Sequence, residues 1–173
     1  MSNQSDFSSP SGSNPAWYAL KVRTGSEPVA ATALSNRGYA PFCPTYLERR
    51  RYSDRMKLVP SVFFPGYLFC KFDIKQKLGL ITSQAIEYIV GTGGVPTPVP
   101  EAEIECIRRA VEAGGRPAPY LRSGERVRVE YGALQGIEGI FEKHASKWRL
   151  IVSIHLLERS VSLHIHEDQV RFL

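Results

Sequence analysis

Cysteine is scarce in this chain of 173 residues, and the three present, Cys43, Cys70 and Cys106, are an odd number and widely spaced. That pattern excludes a disulfide framework and fits no zinc-ligand spacing, so reduced thiols are expected. Long apolar runs are also missing, since none approaches the roughly 20 residues a membrane-spanning helix needs. The opening stretch MSNQSDFSSPSGSNPA lacks the charged and apolar regions of a signal peptide, so a cytoplasmic protein without membrane contact is expected. Catalytic constellations are wanting too. Carboxylates are few and fall on expected helix faces or in turns, and no nucleophile stands with a base. His164 and His166 share one face of an expected strand but have no third ligand nearby, which makes them solvent-facing histidines. Gly91-Thr92-Gly93-Gly94 lacks the Lys-Ser/Thr of a phosphate loop and reads as a turn. The expectation is a protein that is not an enzyme, with no cofactor and no metal.

Charge is present but uneven. Residues 17–80 hold eleven Lys/Arg against four Asp/Glu, whereas the whole chain carries only +5. A field concentrated in one stretch suits a polyanion or an acidic protein surface.

Along the chain, residues 1–16 are rich in Ser, Asn, Gly and Pro and are expected to form a disordered tail. Trp17 to Val22 has the pattern of a buried strand. Thr24 and Glu27 then stand at capping-box spacing before a helix with Val29, Ala30, Ala33 and Leu34 at helical intervals, which Gly38 ends. Tyr39 to Leu47, with prolines at 41 and 44, reads as an edge strand. The basic run Glu48 to Lys57 reads as a hairpin tip, and Tyr67 to Phe72, after the Pro65-Gly66 turn, as a buried strand. Glu87 to Val90 is β-like, Gly91 to Pro100 is loop, and Pro100 to Ala113 is a second helix with Ile104, Ile107 and Val111 on one face. The proline-bearing stretch 116–121 reads as a stiff linker, which sets boundaries at 17–115, 116–121 and 122–173. Beyond it, short strands recur near 126–130, 137–142, 149–154, 160–165 and 169–172, the pattern of a small β-barrel.

Three motifs in this order resemble the NusG family of transcription elongation factors. They are Trp17-Tyr18 followed by Arg23-Thr24-Gly25-Ser26-Glu27 and a helix, the segment Phe63-Phe64-Pro65-Gly66-Tyr67-Leu68-Phe69, and Gly124 to Val129 with Gly132 to Ile140, which resembles a KOW motif. The resemblance covers Trp17 to Leu173. It implies an α+β fold: an N-terminal α/β sandwich with an antiparallel sheet, linked to a small C-terminal all-β KOW (SH3-like) barrel.

The resemblance also implies partners. The N-terminal domain is expected to bind the clamp helices of the largest catalytic subunit of bacterial RNA polymerase and to suppress pausing or termination. Phe64, Pro65, Tyr67 and Phe69 are the expected polymerase-binding residues. Two rings flanking Pro-Gly cannot both bury themselves within one short turn, so Phe64 and Tyr67 are expected to frame a partly exposed pocket. Lys21, Arg23 and Arg37 are the expected contacts to non-template or upstream DNA, joined by Arg49, Arg50, Arg51 and Arg55 of the basic hairpin, whose partner is DNA or an acidic polymerase surface. The segment from Gln76 to Leu80 lies where some relatives contact the second large subunit, with Lys77-Leu78-Gly79-Leu80 as a departure from their pattern. Gly132, Gly136 and Gly139 are structural glycines of the barrel. The barrel is expected to recruit ribosomal protein S10 or Rho, with Phe141 and Ile154 to Leu157 as its apolar surface, and its β-branched residues and glycines predict a constitutive barrel rather than a refolding one. A monomer is expected. The arginine-rich hairpin favours a specialised, operon-specific antiterminator; the alternatives are a housekeeping member recruiting Rho or the ribosome, and a ribosome-associated or RNA-binding KOW protein.

Overall fold

The computed structural model describes residues 14–173 except 83, 123, 145 and 146. The tail expected over residues 1–16 lies almost wholly outside the described residues. The described residues open with β1 (Ala16–Val22) and α1 (Glu27–Ser35), then run through β2 (Ala40–Phe42), β3 (Thr45–Arg51), β4 (Met56–Val62), β5 (Tyr67–Phe72) and the short α2 (Lys77–Ile81). β6 (Ile86–Ile89), β7 (Gly91–Thr92), β8 (Val95–Pro96) and β9 (Pro98–Val99) lead to α3 (Glu101–Glu112). Then follow β10 (Arg116–Ala118), β11 (Glu125–Val129), β12 (Glu138–His144), β13 (Lys147–Ile154), β14 (Arg159–His164) and β15 (Val170–Phe172).

The N-terminal sheet is antiparallel in the order β2-β5-β1-β6, with β9 also paired to β1. Side chains alternate across a strand, so the sheet has two distinct faces. Tyr18, Leu20, Val22, Leu68, Cys70 and Phe72 pack with Ala30 and Leu34 of α1 and Leu80 of α2. Trp17, Ala19 and Phe69 belong instead to the cluster that holds Ile104, Ile107 and Ala110 of α3. The result is a three-layer arrangement of helix, sheet and helix.

Local chemistry accounts for most helix boundaries. Pro28 occupies the first turn of α1, where its missing N–H costs nothing, and Gly38 follows the helix with a φ of +84°. The expected capping box is absent. Ser26 is the N-cap without a side-chain hydrogen bond, and Glu27 turns its carboxylate elsewhere. In α3 the first-turn Glu101 and Glu103 and the last-turn Arg109 complement the helix dipole, with Pro100 just ahead of the first helical residue.

The C-terminal sheet, in the order β10-β14-β13-β12-β11-β15, curls around Val127, Val129, Leu150, Val152, Ile154 and Val161 as a small barrel. Of its glycines, Gly132 and Gly136 take positive φ in the turn between β11 and β12, whereas Gly139 is required by proximity: a Cβ there would lie 2.5 Å from the Ile151 carbonyl oxygen.

Two features join the barrel to the first half of the chain. Residues expected as linker form β10, in which Arg116, Pro117 and Ala118 pair with Ser162, Val161 and Ser160 of β14. Pro117 is tolerated because β10 is an edge strand. The barrel also seats on the side of α3 turned away from the sheet. Arg109 donates to the carbonyls of Ala133 (2.8 Å) and Gln135 (3.0 Å), and Glu103 accepts from the His155 backbone N–H (3.1 Å) and meets its Nδ1 at 2.8 Å. Gly115 lies at the seam, where a Cβ would come within 2.6 Å of Val161 Cγ1.

Candidate functional site

Phe64-Pro65-Gly66-Tyr67 forms a type II turn. The Tyr67 N–H donates to the Phe64 carbonyl at 2.9 Å, with Pro65 second and Gly66, at φ +84°, third. The turn is tied down on both sides. Gly66 donates its N–H to Glu27 Oε1 at 2.5 Å, and its carbonyl accepts from the Val22 N–H at 2.9 Å. Glu27 is 1% exposed, and its second oxygen accepts from the Gly25 N–H at 2.8 Å. A carboxylate withdrawn from water is costly unless charged or polar donors meet it, so these backbone donors are what make the burial tolerable.

From this turn a chain of aromatic rings runs across the α3 side of the sheet. Tyr46 meets Phe63 (4.9 Å between centroids), Phe63 meets Phe64 (6.4 Å), Phe64 meets Phe69 edge-on (5.3 Å), Phe69 meets Phe42 (6.1 Å), and Phe42 meets Trp17 (6.5 Å). Cations cover its margin. Lys21 Nζ lies 4.7 Å from the Tyr67 ring centroid, the Arg108 guanidinium 4.9 Å from that of Phe42, and the Arg116 guanidinium 5.5 Å from that of Tyr46. Lys21 and Tyr67 are cross-strand partners, so both project from one face.

Phe64 differs from expectation. It is 1% exposed and Phe69 is 0% exposed, whereas Tyr67 is half-buried and Pro65 is exposed. Phe64 finds ring neighbours in Phe63 and Phe69, so the turn does not have to bury it alone. What a partner could touch is therefore Pro65, the exposed part of Tyr67 and the Lys21 ammonium.

The expected nucleic-acid residues are dispersed. Arg23 is exposed just past β1. Arg37 is exposed but donates through Nη1 to the Gly79 carbonyl at 2.9 Å, fixing the end of α1 to α2. Arg50 is engaged with Glu48 at 2.9 Å and with the Ser61 hydroxyl, which itself donates to Glu48 at 2.8 Å. Those two donors hold the Glu48 carboxyl below its usual range. Arg55 stands at the exposed hairpin tip, 3.8 Å from Asp54. Arg49 and Arg51 project from the opposite face of β3 to Arg50, and among the described residues neither has a carboxylate within 4 Å.

Other expectations are placed as follows. Leu78 in α2 is exposed. Phe141 is buried and stacks on Trp148 at 4.3 Å; Ile154 is buried, and His155 beside it is taken up by α3. His164 and His166 are exposed, and His166 opens a single 3-10 turn. Glu27, Phe42, Tyr46, Arg108 and Arg116 are parts of the site that the sequence reading missed. Only Glu27 had a signal, a carboxylate at the start of a helix, and that signal pointed to capping.

The described residues thus form an α/β sandwich presenting an aromatic Phe-Pro-Gly-Tyr turn, followed by a small glycine-bearing barrel. The chain belongs to the NusG family: the family model described as transcription termination factor nusG matches residues 15–108, more than half of the sequence. It is similar to the transcription termination/antitermination protein NusG of Escherichia coli K12, with 30% identity over 171 positions, 89% of this chain and 94% of that one. The corresponding protein of Pseudomonas aeruginosa matches at 30% identity over 115 residues, 62% of this chain and 65% of that one. The solved structure described as domain interaction in Thermotoga maritima NusG matches with a TM-score of 0.52 at 17% identity, covering 91% of this chain and 97% of that one, which is a likeness of fold. The protein is a transcription termination/antitermination factor of this family.

Proposed function

We propose that the turn at Phe64-Pro65-Gly66-Tyr67 docks the clamp helices of the largest subunit of bacterial RNA polymerase and that bound factor suppresses pausing or termination at particular operons. The observation that carries this reading is the pairing of exposed Pro65 and half-buried Tyr67 with the Lys21 ammonium, on a turn held rigid by buried Glu27. An apolar helix tip finds a small, preformed platform there, with little conformational entropy to lose. Phe64 and Phe69 act from beneath as the support of that platform. Arg23 and Arg55, both exposed, are the nucleic-acid contacts of this reading, with Lys21 at its edge. Arg37 and Arg50 already have protein partners and serve mainly to hold α2 and the hairpin in place. The barrel is the recruiting module, for which S10-like and Rho-like partners are the first to try.

The test is binding of the full chain to an isolated clamp-helix fragment, comparing wild type with Pro65→Ala and Tyr67→Ala. Phe64→Ala is unsuited because it opens the core. Loss of at least tenfold in affinity by variants that remain folded at the assay temperature supports the reading. Undiminished binding by both variants overturns it.

A further inference from the structure

The hairpin formed by β3 and β4 stands apart from both larger sheets, and among the described residues no strand pairs with its outer edges. The two edges are not equivalent. β4 carries Pro60 in its middle, which removes a backbone donor and discourages a further strand. β3, the seven residues Thr45–Arg51, contains no proline and offers an uninterrupted edge. Along it runs a trough of about 540 Å³ lined by Tyr46, Leu47, Glu48, Arg49, Leu58 and Arg116. Residues 46–49, whose side chains alternate between the two faces, all line it, which sets the trough along β3 with Leu58 of β4 joining from the Leu47 face. Leu47 and Leu58 are 55% and 59% exposed, an apolar floor left open to water.

Charge then selects the occupant. Arg49 and Arg51 share the face of Leu47 and Leu58 and have no carboxylate within 4 Å among the described residues. A second copy of this chain pairing edge to edge would gather the Arg49 and Arg51 of both copies on one face with no carboxylate there to meet them, which is destabilising. A strand bearing carboxylates would meet them with opposite charge, while its backbone satisfied the open edge. Nucleic acid would also meet the arginines, but it would leave the backbone donors and acceptors of β3 and the two leucines without a matching partner.

We propose that the free edge of β3 takes up an extended acidic segment of a partner protein as an added antiparallel or parallel strand, with Arg49 and Arg51 pairing to its carboxylates. This trough borders the aromatic row at Tyr46 and Arg116 but includes no residue of the Phe-Pro-Gly-Tyr turn, and the proposal does not depend on the clamp-helix reading.

The test uses the full chain and, as probe, a blocked eight-residue peptide, Glu-Thr-Glu-Thr-Val-Thr-Val-Thr, whose Glu and Val share the one face that meets the arginines and leucines. Its partners in the experiment are the same peptide N-methylated at alternate amides and a DNA duplex. The expected result is binding of the unmodified peptide, with backbone amides of 45–51 newly protected from hydrogen exchange. N-methylation should weaken binding at least tenfold, as should Arg49→Glu/Arg51→Glu, while the same charge reversal on the barrel, Lys143→Glu/Lys147→Glu, should change it less than twofold. No binding at millimolar peptide overturns the proposal. Equal binding of the N-methylated peptide overturns it as well, since that is attraction by charge alone. Duplex binding that depends on Arg49 and Arg51, with no peptide binding, makes the edge a nucleic-acid surface instead.

Discussion

The carboxylate of Glu27 and the backbone N–H of Gly66, 39 residues apart in sequence, meet at 2.5 Å in the interior of the protein. Through this bond the start of α1 sets the position of the Phe-Pro-Gly-Tyr turn. Glu27→Ala leaves the Gly66 N–H buried without its acceptor, at a cost of about 1–3 kcal/mol. Urea denaturation should show that loss. A change below about 0.5 kcal/mol would mean that the turn holds itself without the carboxylate.

Gly66→Ala tests the same turn from the other side. An alanine at φ +84° costs roughly 1–2 kcal/mol, and its Cβ would stand 2.4 Å from Lys21 Nζ. The ammonium can swing away from Tyr67 to make room. The variant is therefore expected to fold with lowered stability and with a displaced Lys21 side chain, seen as altered Tyr67 ring resonances.

Phe64 and Tyr67 should separate stability from binding. Phe64→Ala removes a fully buried ring and is expected to cost about 3–5 kcal/mol. Tyr67→Ala, at a half-buried position, is expected to cost clearly less. Thermal melts of both variants check the order, and the reverse order would refute the assignment of Phe64 to the core.

The thiols make a prediction in pH. Burial pushes the Cys43 and Cys70 thiols up from 9.0 to about 11. Folding thus favours their neutral forms, so their contribution to stability is fully present below pH 9 and is lost as pH rises through about 11. Native protein should be alkylated slowly by iodoacetamide at neutral pH, and Cys43→Ala/Cys70→Ala should flatten the fall in stability over that alkaline window. Rapid alkylation of Cys70 at pH 7 in folded protein would contradict its burial.

What was legible in the sequence, and what was not, follows from the range of the interactions. β1, α1, β5, α3 and the barrel strands announce themselves by local period, by Pro28 and Gly38, and by glycine turns. β10 does not, because Arg116-Pro117-Ala118 has no period and becomes a strand only through β14, more than forty residues later in the chain. The five-residue α2 was missed because so short a helix has little pattern to show. For the site, the aromatic turn was visible by composition, but the burial of Phe64 depends on Phe63 and Phe69, and a local argument about one turn could not count those rings. Glu27 was misread for the same reason: its partner is a backbone group on another element.

The strand β10 also constrains how the chain can vary in length. Because residues of a strand face opposite sides in turn, one residue inserted between Gly115 and Arg116 would either invert the faces of Arg116, Pro117 and Ala118 against β14 or have to be expelled as a bulge at the crowded Gly115 seam. Two inserted residues would restore the alternation. Insertions at this junction should therefore obey an odd-even rule, with parity rather than reach deciding which lengths keep α3 and the barrel in their present relation.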